Sequence, residues 1–213
     1  LKLLEDLNLR GNDVSSLQGI SSLIKVKTLD LGGNQVLDIS PIGQMVDLSV
    51  LYAEDNNFSD ISVLGNLNGL KEINLSNNKI QDLSGFSKVA EGRSYLWLAD
   101  FSRNEVTSLQ GIETLNNLRI LALSQNSISD LSPLSQMSEL STLLIDFNQV
   151  SVLAPIKDLG NLRGLYTNNN LLAEDPSVIE MNQLAELYIY DNNLTDNRKV
   201  EIQDALPSVR IEF

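Results

Sequence analysis

The residues of this sequence that are most able to do chemistry are carboxylates. The 213-residue chain contains 28 aspartates and glutamates but neither histidine nor cysteine. It therefore lacks the commonest general base, the commonest metal ligand and any thiol nucleophile. Two carboxylates such as Asp100 and Asp146, held about 10 Å apart, would suit the acid–base pair of an inverting glycosidase. Such a pair also needs an enclosed pocket that raises one pKa, so the supporting elements decide the matter.

Two further short motifs are incomplete. LGGNQ at 31–35 lacks both the spacing and the lysine of a phosphate-binding loop. DLNLRG at 6–11 resembles half of a calcium loop, but the distal acid is absent and Asp6 and Asn8 fall on a predicted strand. We therefore predict no catalytic residue, no cofactor and no metal site, and we expect that the chain is not an enzyme.

The charge of the chain excludes other classes of partner. Fifteen basic residues leave a net charge of −13. Nucleic acid and anionic membranes both require a basic surface, so neither is an expected partner. The sequence contains no apolar run near the 18–20 residues or so of a membrane span. We expect a protein partner, no nucleic acid and no membrane insertion.

Asparagines recur at a fixed interval along the whole chain. They stand at positions 12, 34, 56, 78, 104, 126, 148, 170 and 192, every interval being 22 residues except one of 26. Each lies in the same frame, LxxLxLxxNxL, as in LRILALSQNSI at 118–128 and LAELYIYDNNL at 184–194. Such a period predicts a repeat architecture.

The frame itself predicts how each repeat folds. LxxLxL places its last two leucines on one face of a short strand. Successive strands linked by a crossover must be parallel, and the crossover connection is expected to be right-handed. The asparagine has a donor and an acceptor on one short side chain, so a stack of asparagines can satisfy buried turn backbone. The return segments are too short for full helices and should be 3₁₀ turns, with Asp-x-Ser as a capping pattern.

The repeat resembles the leucine-rich repeat family over essentially the whole chain. The 22-residue period and tails such as DISPI at 38–42 and DLSPL at 130–134 are most similar to the internalin-like class of bacterial surface proteins. The resemblance implies an α/β right-handed solenoid (horseshoe), with a parallel β-sheet on the concave face and 3₁₀ or short-helix turns on the convex face. A eukaryotic phosphatase regulatory subunit with repeats of the same length is the intracellular alternative.

We expect residues 1–213 to form a single domain of nine repeats. The repeats start at 4, 26, 48, 70, 96, 118, 140, 162 and 184. A closing helix and strand are expected at about 196–213, with Val200 and Leu206 facing inward and with Leu206, Val209 and Ile211 in the 22-residue register. The four extra residues of the long repeat lie in AEGRSY at 90–95, either as a tolerated insertion or as a binding edge. Leu1 falls inside a repeat, so we expect an excised fragment.

The residues that face outward on the concave side are the candidate site. The central outward position of each strand is polar early in the chain and apolar or aromatic late, and most tyrosines and the only tryptophan fall outward. Tyrosine and tryptophan dominate binding hot spots. The predicted partner-binding residues are Tyr52, Trp97, Leu98, Ile120, Leu144, Phe147, Tyr166, Tyr188 and Tyr190. Aromatic stacking could instead stabilise the sheet, or another domain could cover these residues.

The function that these residues favour is protein binding through the concave face. The resemblance implies part of a bacterial surface or secreted protein, of adhesin type, with a cytoplasmic location as the alternative. A rigid spacer between neighbouring domains and an intracellular phosphatase-type regulator are the other functions considered. A glycan ligand is an alternative to a protein surface, and we expect the chain to be a monomer.

Overall fold

The structure, a computed structural model, describes residues 3–88 and 94–213. The strands are β1 (Asp6–Asn8), β2 (Thr28–Asp30), β3 (Val50–Tyr52), β4 (Glu72–Asn74), β5 (Leu98–Asp100), β6 (Ile120–Ala122), β7 (Thr142–Leu144), β8 (Gly164–Tyr166), β9 (Glu186–Tyr188) and β10 (Arg210–Glu212). They form one open sheet in chain order, and every neighbouring pair is parallel. This confirms the predicted solenoid, in which each repeat adds one strand.

The crossovers on the convex side are single 3₁₀ turns, as expected from their length. Within the described residues they are Ile20–Ser22, Ser40–Gln44, Ser62–Asn66, Ser84–Lys88, Ile112–Thr114, Ser132–Leu134, Ala154–Ile156 and Pro176–Glu180. Neighbouring strands lie only about 4.8 Å apart, whereas stacked helical turns with their side chains need more width, so the stack is wider on the side of the turns. The sheet therefore lines the concave face.

The Asp-x-Ser pattern caps these turns. The serine amide donates to the aspartate Oδ1 two residues earlier at 2.6–2.8 Å in four repeats, at Asp38, Asp60, Asp82 and Asp130. Hydrogen bonds from Ser62 and Ser132 favour the ionised carboxylates and hold the pKa of Asp60 and of Asp130 below the usual value. These four aspartates thus fix the backbone at the entry to their crossovers.

The asparagine ladder has the scaffold role that its spacing predicted. The Asn56 amide nitrogen donates to the Leu31 carbonyl of the preceding repeat at 2.9 Å and to the Ala53 carbonyl of its own repeat at 3.2 Å. The Val36 amide donates to Asn56 Oδ1 at 2.9 Å. The same set of bonds recurs at Asn148 and Asn170. Each of these three asparagines therefore joins two consecutive repeats through buried backbone groups.

The inward face of the sheet and the convex turns enclose one continuous apolar core. Phe58, Phe86 and Phe101 are among its largest fully buried side chains. Ala99 replaces the usual leucine, and beside it Phe101 meets Phe86 edge to face, with centroids 5.9 Å apart and planes at 73°. The larger ring thus fills the volume that the smaller residue leaves, which keeps the core at native density.

The closing segment differs from the prediction in two ways. Helix α1 (Asp196–Ala205) is capped by Thr195, whose hydroxyl accepts from the Arg198 amide at 3.2 Å. It buries Arg198 and Ile202, so the prediction that Val200 faces inward was wrong: Val200 is 60% exposed. Residues two apart on a helix point about 200° apart, so Val200 faces solvent when Arg198 and Ile202 face inward.

The strand after α1 also lies in a different register. Leu206 and Val209 are buried as expected, but Ile211 pairs with Leu187, 24 residues earlier rather than 22. The predicted register was wrong because a true α-helix takes up more chain than a 3₁₀ crossover. An even shift keeps each side chain on its intended face, so the sheet accepts it.

Parts of two predictions lie outside the described residues. These are the position of Leu1 and most of the AEGRSY insertion, of which Ser94 and Tyr95 alone are described. The longest helix of the described part of the chain is α1, and it is neither long nor apolar enough to cross a membrane.

Candidate interaction surface

The outward side chains of the sheet form the concave surface. It comprises the first and third residues of each strand and the residue two places after each strand. Strand pairing sets Leu144, Tyr166 and Tyr188 side by side on β7, β8 and β9. Tyr190 lies two places after β9 and is 40% exposed, and Phe147 lies three places after β7, next to the surface position of Asp146, and is 51% exposed. These five residues are called the tyrosine patch.

The two central tyrosines of the patch are held in place. Their rings are nearly parallel, with centroids 4.7 Å apart and planes at 10°. The Tyr166 hydroxyl donates to Glu186 Oε1 at 2.5 Å. A Cβ at Gly164 would lie 3.4 Å from both Tyr166 Cε2 and Glu186 Oε1, so these side chains cover the glycine. Restrained aromatic rings form a contact surface that loses little entropy on binding.

The carboxylate of Glu186 also changes the acidity of its neighbour. Its hydrogen bond, followed by burial of the phenol and by its negative charge, raises the pKa of Tyr166 to about 12. Tyr52 is bound in the same way, donating to Glu72 Oε1 at 2.7 Å, and this bond raises its pKa. Tyr52 lies on β3, five strands from β8 and about 24 Å away, so it does not join the patch.

Phe147 occupies a backbone position that disfavours it. Its φ is 56°, in the left-handed region. The same position of the repeat has positive φ throughout, and glycine, asparagine or aspartate holds it in most repeats, as at Gly33, Asn77 and Asp191. A bulky residue is strained there. Phe147 is also 51% exposed at this point, so about half of its surface is available for contact with a partner.

Three other predicted site residues, Trp97, Leu98 and Ile120, form a separate group. Leu98 and Ile120 are paired outward residues of β5 and β6. Trp97 precedes β5 at the edge where strands begin, is 38% exposed and lines a pocket of about 280 Å³ with Tyr95, Asn117, Arg119 and Glu139. β5 is three strands from β8, about 14 Å. The structure therefore brings together five of the nine predicted residues and places the others in two further groups.

The carboxylates of the concave surface do not form an enzyme-like pair. Asp100 is the last residue of β5, and its Oδ1 accepts a hydrogen bond from the Ser102 amide at 2.8 Å. Asp146 follows β7, which is two strands away from β5. No shared cluster of three metal-ligating side chains occurs in residues 3–88 and 94–213.

A polar network behind the patch was missed by the sequence analysis. Asp146 Oδ1 accepts from the Asn168 amide at 3.0 Å and from Asn168 Nδ2 at 2.7 Å, and Asp146 Oδ2 accepts from Ser124 Oγ at 3.2 Å. The Tyr190 amide donates to Asn168 Oδ1 at 3.1 Å. The signal was present, because positions 124, 146, 168 and 190 are 22 residues apart. The network fixes the backbone from which Phe147 and Tyr190 project.

Comparisons with known proteins find the same repeat architecture. A family model described as leucine-rich repeats (2 copies) matches residues 46–88. Internalin C2 from Listeria monocytogenes superposes with a TM-score of 0.79 at 24% identity, over 90% of this chain and 80% of its own. The chain has an internalin-like leucine-rich repeat fold, and residues 46–88 match the leucine-rich repeat family.

Two other solved structures show how widely this leucine-rich repeat fold is used. A leucine-rich repeat protein from Leptospira interrogans has a TM-score of 0.80 at 24% identity, over 97% of this chain and 60% of its own. A plant peptide hormone receptor in complex with RGF2 has a TM-score of 0.69 at 25% identity, over 82% of this chain and 30% of its own. No curated protein sequence matches significantly. Leucine-rich repeat proteins mediate protein–protein interaction, which points to an interaction module rather than an enzyme.

Proposed function

We propose that this leucine-rich repeat protein binds a protein partner through the tyrosine patch on its concave surface. The observation that carries the proposal is Phe147, an exposed aromatic residue in a strained left-handed backbone position. Strain that the fold does not need is typical of functional sites. The patch around it combines exposed apolar area with restrained tyrosines, which is the composition of binding hot spots.

The wider setting of the proposal comes from the resemblance. Internalin-like proteins are bacterial surface proteins, so we propose that this chain is part of a secreted or cell-surface protein of adhesin type and acts as a monomer. The peptide hormone receptor in complex with RGF2 supports the use of such a solenoid to bind a polypeptide. Tyr52 and the group of Trp97, Leu98 and Ile120 are proposed as outlying contacts for a partner long enough to follow the sheet.

A rigid spacer is the second candidate function. The parallel stack of Tyr166 and Tyr188 and the bond from Tyr166 to Glu186 favour it, because both stabilise the sheet without a partner. The spacer does not account for Phe147, which is exposed and strained. A spacer should also tolerate charge on the concave surface, and this difference separates the two functions.

The test is affinity capture from an extract of host-cell surface proteins. The three baits are the wild-type chain, a variant with Leu144→Glu, Tyr166→Glu and Tyr188→Glu, and a control with Gln136→Glu, Val152→Glu and Leu171→Glu, all confirmed folded by thermal melting. The control adds the same charge at exposed positions off the concave surface. A protein retained by wild type and control but lost by the patch variant supports the proposal. Equal capture by all three baits, or by none, favours the spacer.

A further inference from the structure

The concave surface carries most of its charge as carboxylate. Two arginines are present, Arg10 and Arg210, against eight acidic residues: Asp6, Asp30, Glu54, Glu72, Asp100, Asp146, Glu186 and Glu212. Arg10 is already bound by Glu54 and Asp30, and Arg210 donates to Glu212 Oε1 at 3.0 Å. The surface that remains for a partner is therefore negative.

Few basic residues lie on this surface itself. Basic residues do lie near the sheet, but they precede the strands, at its opposite edge: Lys27, Lys71, Arg119 and Arg163. Lys27 is paired there with Glu5, and Arg163 donates to the backbone carbonyls of Gly160 and Gln183. These basic side chains therefore lie beside the concave surface and not on it.

Arg210 demonstrates what the tyrosine patch can bind. Its guanidinium carbon lies 5.7 Å from the centroid of the Tyr188 ring while the same side chain donates to Glu212. An aromatic face beside a carboxylate is the arrangement that suits arginine, because guanidinium is planar, weakly hydrated and able to stack and donate at once. A lysine ammonium is more strongly hydrated and gains less from the ring.

Carboxylates also lie beside the other aromatic residues of the patch. Tyr166 lies against Glu186, and Asp146 adjoins Phe147 in the sequence and closes the other side of the patch. Among residues 3–88 and 94–213, no lysine or arginine forms an ion pair with Glu186 or Asp146. Both carboxylates are hydrogen-bonded to neutral groups, which holds them in place, and Arg210 acts on Glu186 only through space.

We infer that the partner is a basic protein segment that presents arginine side chains to the tyrosine patch, where the guanidinium groups lie beside the aromatic rings and are bound separately, one by Glu186 and another by Asp146. The inference rests on the proposed function and names the chemistry of its partner. Apolar side chains of the same segment contact Leu144 and Phe147. An acidic or neutral partner would leave the carboxylates desolvated and unpaired, at a cost in affinity.

The first experiment measures binding of synthetic peptides to the full chain by fluorescence anisotropy. Three twelve-residue peptides share the same leucines and tyrosines and alternate them with arginine, lysine or glutamate. The arginine peptide should bind several-fold more tightly than the lysine peptide and at least about tenfold more tightly than the glutamate peptide, and its affinity should fall as salt rises. Equal affinity for the arginine and glutamate peptides, or no binding of any peptide at about 1 mM, contradicts the inference.

Two pairs of variants then locate the binding. Glu186→Gln with Asp146→Asn should weaken the arginine peptide about tenfold, whereas Asp158→Asn with Glu174→Gln, which removes the same charge away from the concave surface, should change it less than twofold. Equal losses in both variants would mean long-range attraction alone and would overturn the inference. Thermal melting of both variants establishes that they are folded.

A gain of binding provides a test that unfolding cannot imitate. Arg210→Gln removes the resident cation from Tyr188 and Glu212, so the arginine peptide should bind more tightly by several-fold. Lys79→Gln makes the same change of charge at an exposed position off the surface and should have little effect. If Arg210→Gln does not strengthen binding beyond this control, the aromatic and carboxylate pair does not bind arginine.

The inference and the proposed function fail in different ways. Suppose that a captured protein does not bind the triple-glutamate patch variant, but binds the Glu186→Gln, Asp146→Asn double variant as tightly as the wild type, also at about 0.5 M salt. The proposed function would then stand, and the inference of a basic partner would be refuted. Retention of that protein by the triple-glutamate variant would refute the proposed function itself.

Discussion

At the scale of single residues, Phe147 combines strain with exposure. A left-handed backbone costs a bulky residue about 1 kcal/mol relative to asparagine or glycine. Phe147→Asn should therefore raise the free energy of unfolding by about that amount and the melting temperature by a few degrees. The same substitution should weaken partner binding. Gln125→Asn is the control, because it relaxes the equivalent position in the preceding repeat without removing an aromatic ring. A lower melting temperature for Phe147→Asn would contradict the assignment of strain.

The asparagines of the ladder differ in how many buried backbone groups they bind. Asn148 donates to the carbonyls of Leu123 and Ile145 and accepts from the Ile128 amide, all at 2.9–3.0 Å and all buried. Asn148→Ala leaves these groups unpaired and should lower the free energy of unfolding by about 2–4 kcal/mol. Asn12 is exposed and donates to its own repeat, so Asn12→Ala should cost less than about 1 kcal/mol. Equal losses in urea unfolding would show that burial of the ladder does not determine its contribution.

At the scale of elements, β8 and β9 are coupled by a titrating bond. The folded state holds the pKa of Tyr166 at about 12, chiefly through the bond to Glu186, whereas an unfolded tyrosine has a pKa of about 10. The folded state therefore keeps this proton when the unfolded state has lost it. The stabilisation is complete below about pH 10 and is lost as the pH rises to about 12.

Glu186→Gln removes the largest cause of this shift. We expect one tyrosine of the variant to ionise at lower pH than in the wild type, and the loss of stability above pH 10 to become less steep. Absorbance of tyrosinate during an alkaline titration measures the first, and urea unfolding at several pH values measures the second. Glu174→Gln is the control with the same chemical change. Identical titrations of wild type and Glu186→Gln would contradict the assignment.

The elements differ in how far the sequence could predict them. The repeating leucines and asparagines predicted the strands, the parallel register and the turns, because both signals recur in every repeat and reinforce one another. The closing segment occurs once, so nothing in the chain corrected the assumed 22-residue register or the inward position of Val200. Burial of Arg198 decided the helix face, and its carboxylate and carbonyl partners come from Glu201 and Asp175.

The site was predictable only in part for a similar reason. Outward tyrosines follow from alternation along a strand, so Tyr166 and Tyr188 could be placed from the sequence. The strain at Phe147 and the bonds joining Asp146 to Asn168 depend on backbone angles and on contacts between repeats. The split of Trp97 from the patch depends on which edge of the sheet it occupies. These features follow from the three-dimensional structure and not from the pattern of the sequence.

At the scale of the whole molecule, the repeats produce a rigid curved sheet on which chemistry varies from strand to strand. The ladder and the core are nearly the same in each repeat, whereas the concave surface is polar towards β1 and aromatic towards β9. The invariant part supplies the fold and the variable part is available for recognition. The acidic surface makes binding of a basic partner sensitive to salt, and the association rate should fall as salt rises.

The central claim is that a partner binds the tyrosine patch, and the dissociation constant of the captured protein tests it most directly. Phe147→Asn with Tyr190→Asn removes two exposed aromatic rings that carry little of the fold, and Val152→Asn with Leu171→Asn removes two exposed apolar side chains elsewhere. We predict that the first pair weakens binding at least about 100-fold and the second less than twofold. Equal dissociation constants for the two double variants would contradict the account.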